Sequence, residues 1–258
     1  MRPGGSEEWA RQVVAAHTGR PVVHHDDGSG AGRYDLRVGD AERPEVAIEV
    51  VRAVDRRWTE AWNVVTRGGA LQLDGVAGSW VVTVAPTVRW SRARPQLARL
   101  LRAAEDGADI TDEAEGLGLV HWLRYASTGN GQAHVVVGEY LPGGLVDSSG
   151  AALPHWVSTF LTAPPQADVL RKLQVTAPAR EAFVIVGGGA PWEVEDYLVM
   201  LGQHRTVPPS APELPAPVTG VWITSGLGDD HQLALRWTAA GWEHVNARPP
   251  QHQLPGPN

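Results

Sequence analysis

Three β-rich segments near the amino end constrain the fold of this chain most strongly. They are PVVHH at residues 21–25, RYDLRV at 33–38 and EVAIEVV at 45–51, and the turn-forming segments DDGSGAG and GDAERP separate them. β-branched and aromatic residues favour strands, and short connections rich in Gly, Asp and Pro favour tight turns. The sequence therefore predicts a three-stranded meander.

The expected register of the second and third strands brings two acidic residues together. A turn centred near Glu42 sets Asp35 opposite Glu49, since both lie seven residues from that centre. Directly opposed residues have Cβ atoms about 4.5 to 5.5 Å apart. The apolar residues expected on the other face, against the helices, are Tyr34, Leu36 and Val38 with Val46, Ile48 and Val50.

Two interpretations of this acidic pair remain open at this point. Two carboxylates so close raise each other's pKa unless a cation joins them, and Mg²⁺ or Mn²⁺ is a suitable cation. Alternatively, Arg37, which is expected on the same face, pairs with Glu49 and neutralises it.

The adjacent histidines and aspartates of the first turn predict no single metal site. Neighbouring side chains of a strand point to opposite faces, so His24 and Asp26 are separated from His25 and Asp27. We expect a tight turn with local hydrogen bonds at 26–30.

One predicted helix precedes the meander, and further helices and strands come after it. SEEWARQVVAAHTG at 6–19 predicts a first helix, and Asp55 is a suitable N-cap for a second. SWVVTVAP predicts a strand buried on both faces, and the leucines at 97, 100 and 101 mark a third helix. The resulting order is αβββαβα. The strands SWVVTV, AFVIVG and VWITSG are expected to share one sheet, the alternative being a second small α/β domain.

This order, with Asp on the second strand and Glu on the third, resembles the PD-(D/E)xK restriction-endonuclease-like superfamily. The likeness rests on Gly32, Tyr34, Asp35 and Leu36 and on Glu49-Val50-Val51 at the position of the E-x-K element, and it covers roughly residues 6–106. The resemblance implies that Asp35 and Glu49 are catalytic and hold Mg²⁺ or Mn²⁺. It also implies that Glu7 or Glu8 matches the helical carboxylate of some members. We predict Glu8 as the third metal ligand.

Val51 departs from the family pattern, because it stands where the family has lysine. Members of the family move this cationic role to neighbouring elements, which makes Arg52, Arg56 and Arg57 candidates; we assign Arg52 and Arg56. Lys172 qualifies only if the second half of the chain folds over the site. Otherwise it is a solvated lysine beside Arg171.

The predicted fold class is α/β, with a mixed sheet extended by C-terminal strands and helices. We expect a restriction-endonuclease-like core at residues 1–106, an insertion or small α/β subdomain at 107–178, strands and a helix completing the sheet at 179–246, and a disordered tail at 247–258.

Composition narrows the class of protein and of ligand. The absence of Cys excludes disulfides and thiolate metal sites, and the lack of a long apolar run or leader predicts a cytoplasmic protein without membrane contact. Residues 1–106 hold 15 Arg and 14 acidic residues, whereas 107–258 hold 7 basic and 15 acidic residues, so an anionic partner would prefer the first half. The candidate arginines for a nucleic-acid track are those at 52, 56, 57, 67, 89, 92, 94, 99 and 102.

These observations together predict a metal-dependent nuclease-like protein, active or catalytically impaired, that binds DNA or another nucleic acid. The alternative is a non-catalytic binding or scaffold module of a defence or regulatory complex that retains the fold, favoured by Val51 and by the formal charge of −7. A small-molecule enzyme that uses the acidic cleft is a third reading. A protein partner or a homodimer is compatible with each.

Overall fold

The computed structural model describes residues 5–26, 32–40, 42–65, 69–126, 131–138, 148–188, 190–226 and 233–247. Most of the first predicted turn, at 27–31, and the tail from 248 lie outside the described residues. The described chain forms two compact units, one of residues 1–53 with 145–258 and one of residues 54–144.

The helices and strands of the described residues have the following bounds. The helices are α1 Gly5–Thr18, α2 Arg56–Val65, α3 Trp90–Glu105, α4 Thr111–Gly116, α5 Ala152–Thr162, α6 Ala167–Lys172, α7 Trp192–Val199 and α8 Leu201–His204, with a 3₁₀ turn at Pro164–Gln166. The strands are β1 Val22–His24, β2 Leu36–Gly39, β3 Pro44–Ala53, β4 Leu71–Gln72, β5 Ser79–Val84, β6 Leu119–Ala126, β7 Gln132–Val137, β8 Ala179–Val186, β9 Gly220–Ser225, β10 Leu233–Thr238 and β11 Gly241–Asn246.

A seven-stranded mixed sheet organises the first unit, in the order β1-β2-β3-β8-β9-β10-β11. β1, β2 and β3 form the predicted antiparallel meander, and β3 pairs with β8 in parallel. The four C-terminal strands extend this sheet. The α/β class with a mixed sheet and helices is therefore confirmed.

The register of the meander is the one that the sequence predicts. Leu36 lies opposite Ile48 and Val38 lies opposite Val46. These residues pack with Ala10 of α1 in one buried cluster, so the apolar alternation of both strands faces α1. Tyr34 is an exception to the prediction, because it packs in the cluster of the opposite face with Ala47. It precedes β2, so the alternation of a strand does not extend to it.

Helices cover both faces of the seven-stranded sheet. α1 packs on one face, over buried Phe183 and Trp222. On the other face, Leu161 of α5, Val169 of α6 and Tyr197 of α7 pack against the sheet. Asp35 and Glu49 thus belong to a sheet that has a hydrophobic core on each of its faces.

Residues 54–144 form a separate unit with their own four-stranded sheet, in the order β4-β7-β5-β6. Asp55 caps α2 as expected, since its Oδ1 accepts hydrogen bonds from the backbone N–H groups of Arg57 at 2.7 Å and Trp58 at 3.0 Å. Leu97, Leu100 and Leu101 of α3 are fully buried in the core of this unit. The leucine pattern of the sequence marks that helix correctly.

Two expectations about chain organisation are corrected by this division. SWVVTV, which forms β5, does not share a sheet with β8 and β9, and its Val81 and Thr83 are only half-buried. The inserted unit begins after Ala53 and ends at Gly144, rather than spanning 107–178. Periodicity identifies each element but does not specify which sheet a strand joins. The structure agrees with the alternative of a second small α/β domain and not with one continuous sheet.

Candidate metal centre

Asp35 and Glu49 meet at the point where β2 and β3 begin their pairing. Asp35 directly precedes β2, and the register that pairs Leu36 with Ile48 sets it opposite Glu49. Its Oδ2 accepts a hydrogen bond of 2.7 Å from the backbone N–H of Val50. The Asp35 carboxylate is therefore attached to the β3 backbone next to Glu49.

Burial makes both carboxyl groups unusual acids. Asp35 is 7% exposed and Glu49 is 4% exposed. Burial raises the pKa of Asp35, although the Val50 N–H and the charge of Lys172 oppose the rise. Burial and the neighbouring Asp35 charge raise the pKa of Glu49 to about 8, against the opposing effect of Lys172. Loss of hydration and mutual repulsion thus both disfavour two negative charges here.

Lys172 supplies the nearest cation to this pair. Its Nζ donates a hydrogen bond of 2.7 Å to Glu49 Oε1, from a side chain that is 18% exposed. Partial burial lowers the pKa of Lys172, but the hydrogen bond to Glu49 and the charges of Glu49 and Asp35 outweigh this and leave the pKa raised. The ammonium therefore stays charged at neutral pH.

The position of Lys172 corrects two readings of the sequence. It is not a solvated lysine, because α6 packs on the face of the sheet that carries Glu49. Arg37, the alternative partner, makes no ion pair with Glu49 among the described residues, and its buried Nε lacks a hydrogen-bond partner there. Glu49 and Lys172 are 123 residues apart in the chain, and the packing of α6 against the sheet brings them together.

One oxygen of the Glu49 carboxylate is not used by the contacts described above. Glu49 Oε2 is buried and has no hydrogen-bond partner among the described residues. A buried, unpartnered carboxylate oxygen is costly unless a ligand satisfies it. Magnesium is commonly held by one or two carboxylates with water completing its coordination, so Asp35 and Glu49 are a donor set that fits Mg²⁺ or Mn²⁺. The described residues contain no cluster of three or more candidate ligands of the His, Cys, Asp and Glu types.

Glu8, the predicted third ligand, is engaged elsewhere. Its carboxylate accepts hydrogen bonds from Arg11 at 2.7 Å and Gln12 at 2.8 Å, and it lies 3.1 Å from His24 Nε2. The hydrogen bonds to Arg11 hold the pKa of Glu8 far below its usual range. The neighbouring Glu7 instead contributes to the raised pKa of Asp35, so Glu7 is the α1 carboxylate that acts on the site.

The two histidines of the first turn have different partners, as strand alternation predicts. His24 contacts Glu8, whereas the His25 ring stacks on Tyr34 with 4.2 Å between ring centroids. The charge of Asp26 contributes to the raised pKa of Asp35. Asp27 lies outside the described residues.

The arginines assigned to the site do not contact it. Arg52 is exposed on β3, and Arg56 pairs with Glu60 at 2.7 Å with 90% of its side chain exposed. Neither forms a hydrogen bond or ion pair with Asp35 or Glu49 among the described residues. Arg56 also belongs to the other compact unit.

The nine arginines expected to form a track do not belong to one unit. Arg52 lies in the unit that holds Asp35, Arg67 is outside the described residues, and the others lie in the 54–144 unit. Arg56 and Arg99 are paired with the acids Glu60 and Glu113. The nine arginines therefore do not form one group within the unit that holds the carboxylates.

Comparison of the sequence with family models and with curated proteins, and of the fold with solved structures, gives no match. Among the helices of the described residues, none combines the length and apolar character that a bilayer crossing requires.

Proposed function

We propose that the chain is a metal-dependent phosphodiesterase acting on nucleic acid, with Asp35 and Glu49 as metal ligands and Lys172 as the catalytic cation. The observation that carries this proposal is the convergence of the three side chains, with the Lys172 ammonium 2.7 Å from Glu49. They come from β3, from the residue before β2 and from α6.

The order of elements in the first unit supports the same proposal. When residues 54–144 are set aside, α1, the meander β1 to β3, the helices α5 and α6, the parallel strand β8 and the helix α7 follow one another. This order, αβββααβα, has one helix more before β8 than the αβββαβα order that the resemblance to the PD-(D/E)xK superfamily implies. Lys172 then replaces the lysine that is absent at Val51.

Each residue has a distinct part in the proposed reaction. Asp35 and Glu49 would hold the divalent cation, which when bound would polarise the phosphodiester and activate a water molecule. Lys172, kept protonated by its acidic neighbours, stabilises negative charge that develops on the phosphate oxygens. It acts as a charge and not as a base, since its raised pKa keeps the proton on Nζ.

Cleavage assays test this assignment. We expect cleavage of DNA or RNA in Mg²⁺ or Mn²⁺ by the wild-type protein. Asp35→Asn and Glu49→Gln should reduce it to background, and Lys172→Met should reduce it about 10²- to 10³-fold, the range for loss of one charge-stabilising group. Glu60→Gln, on the exposed face of α2, is the matched control and should cleave like wild type. Cleavage that survives both carboxylate substitutions would contradict the assigned site.

A scaffold that keeps the fold without the chemistry is the second candidate. The Lys172–Glu49 ion pair favours it, because the ammonium already compensates one buried carboxylate without any metal. Calorimetric titration with Mn²⁺ separates the two functions. A scaffold should show no metal binding that Glu49→Gln abolishes.

A further inference from the structure

Helix α6 presents two charged side chains to the site, one turn apart. Lys172 Nζ lies 2.7 Å from Glu49 Oε1 and 3.8 Å from Asp168 Oδ2. The Glu49 side chain is 6% exposed, whereas the Asp168 side chain is 58% exposed. The ammonium therefore lies between a buried carboxylate and an exposed one.

Arg171 fixes the direction of the Asp168 carboxylate. Asp168 Oδ1 accepts a hydrogen bond from Arg171 Nη2, and its other oxygen is left facing Lys172. The Arg171 guanidinium packs over Gly32, where an added Cβ would come within 2.7 Å of Nη1. A side chain at Gly32 would therefore displace the end of the Arg171 side chain.

A divalent cation on Glu49 changes the balance between these two carboxylates. The ammonium and the metal ion repel each other when they share one carboxylate, and the repulsion is strong in a poorly hydrated site. A displacement of Nζ by about 1 Å would bring it from 3.8 Å to hydrogen-bonding distance from Asp168. Because Asp168 and Lys172 are i and i+4 on one helix, this displacement needs only a side-chain adjustment.

We propose that Asp168 is a positioning residue, which takes over part of the ion pairing of Lys172 when a divalent cation binds to Asp35 and Glu49. The inference rests on the proposed metal site. It adds that the catalytic ammonium has two positions, one on Glu49 without metal and one nearer Asp168 with metal.

A double-mutant cycle read by Mn²⁺ calorimetry tests the proposal on the full chain. Asp168→Asn should raise the Kd for Mn²⁺ about two- to fivefold, the range expected for an exposed ion pair. In the Lys172→Met background the same substitution should leave the Kd unchanged, because no ammonium remains to be repositioned. Asp168→Glu, which keeps the charge, should restore wild-type binding. Glu60→Gln, which removes an exposed carboxylate that pairs with Arg56, controls for the loss of one acidic charge and should bind Mn²⁺ like wild type.

The outcomes separate this inference from the proposed function. Equal weakening in both backgrounds would overturn it, since Asp168 would then act on the metal directly, and so would no weakening in either. Absence of Mn²⁺ binding to the wild-type protein would overturn both proposals. The predicted coupling without nucleic-acid cleavage would support Asp168 as a positioning residue and contradict the nuclease.

Lys172 is the only lysine in the sequence, which allows a second measurement independent of affinity. Labelling with ¹³C-lysine gives one side-chain ε-methylene NMR signal. Saturating Mg²⁺ should move this signal toward its position in metal-free Glu49→Gln, where the contact with the Glu49 carboxylate is lost. A signal that stays in place at saturation would overturn the two-position description.

Discussion

At the scale of single residues, Glu49 is a carboxylate held almost entirely out of water. It is 4% exposed and faces the Asp35 charge. Lys172 satisfies one of its oxygens, and the other has no hydrogen-bond partner within the part of the chain that the structure describes. The free energy of folding therefore includes a cost for ionising this carboxyl group. A binding site commonly retains such a cost because a ligand relieves it.

Substitution of Glu49 should reveal this cost as a pH-dependent gain in stability. The pKa of Glu49 is raised from 4.5 to about 8, so the folded state holds a proton that the unfolded state releases between these values. Wild-type stability therefore loses this contribution as pH rises through that window. Relative to wild type, Glu49→Gln should gain nothing near pH 4.5 and on the order of a few kcal/mol at pH 8.

Urea unfolding of both proteins at pH 4.5, 6 and 8, without divalent metal, measures this difference. Glu60→Gln is again the control and should change stability little at any of the three values. A Glu49→Gln gain that is the same at each pH would mean that the carboxyl group is not strained by ionisation.

The acidic pair could be predicted from sequence, but its cation could not. Asp35 and Glu49 lie in neighbouring strands joined by a short turn, so alternation and turn position determine their register. Lys172 reaches Glu49 across 123 residues of sequence, through the packing of α6 on the sheet, which no local pattern specifies. Arg56 shows that closeness in sequence can also mislead. It is only seven residues from Glu49, which suggested a contact, but it pairs with Glu60 instead.

At the scale of secondary-structure elements, the notable feature is that a helix and not a strand carries the cation. Val51 lies two residues after Glu49 on β3, on the same side of the strand, and packs against the core that α5, α6 and α7 cover. An apolar residue at this position lets α6 pack closely on the sheet. That packing in turn brings Lys172 to Glu49.

If residue 51 on β3 and residue 172 on α6 can place an ammonium at the same point, a lysine at 51 should partly replace Lys172. We expect Val51→Lys combined with Lys172→Met to cleave nucleic acid about tenfold faster than Lys172→Met alone, a fraction of the loss expected for one charge-stabilising group. Recovery should be incomplete, because Val51 is half-buried among apolar side chains and a lysine there disturbs packing.

Val51→Met with Lys172→Met is the matched control for this rescue, since it changes the size of the side chain without adding charge. Circular dichroism and thermal unfolding establish that both double variants are folded. A folded Val51→Lys double variant that is no more active than its control would show that the cation acts only from α6.

At the scale of the whole molecule, the chain builds two compact units from one interrupted sequence. The seven-stranded sheet is formed by residues on both sides of the 54–144 unit, which carries its own sheet and its own buried helix α3. The sequence identified most elements correctly and misassigned β5. A run of apolar residues reports burial, whereas membership of a sheet depends on pairing between distant strands.

Separate cores should respond separately to cavity-forming substitutions. Leu100 of α3 and Leu161 of α5 are both fully buried, one in each unit. Replacing either with Ala should cost about 2–5 kcal/mol in the unit that contains it. Hydrogen exchange followed by mass spectrometry should then show lost protection at 54–144 for Leu100→Ala, and at 1–53 and 145–258 for Leu161→Ala.

Because the two variants remove the same side chain, each is the control for the other. Similar loss of protection throughout the chain for both would mean that the two cores unfold as one cooperative unit, and that residues 54–144 stabilise the sheet that holds Asp35 and Glu49.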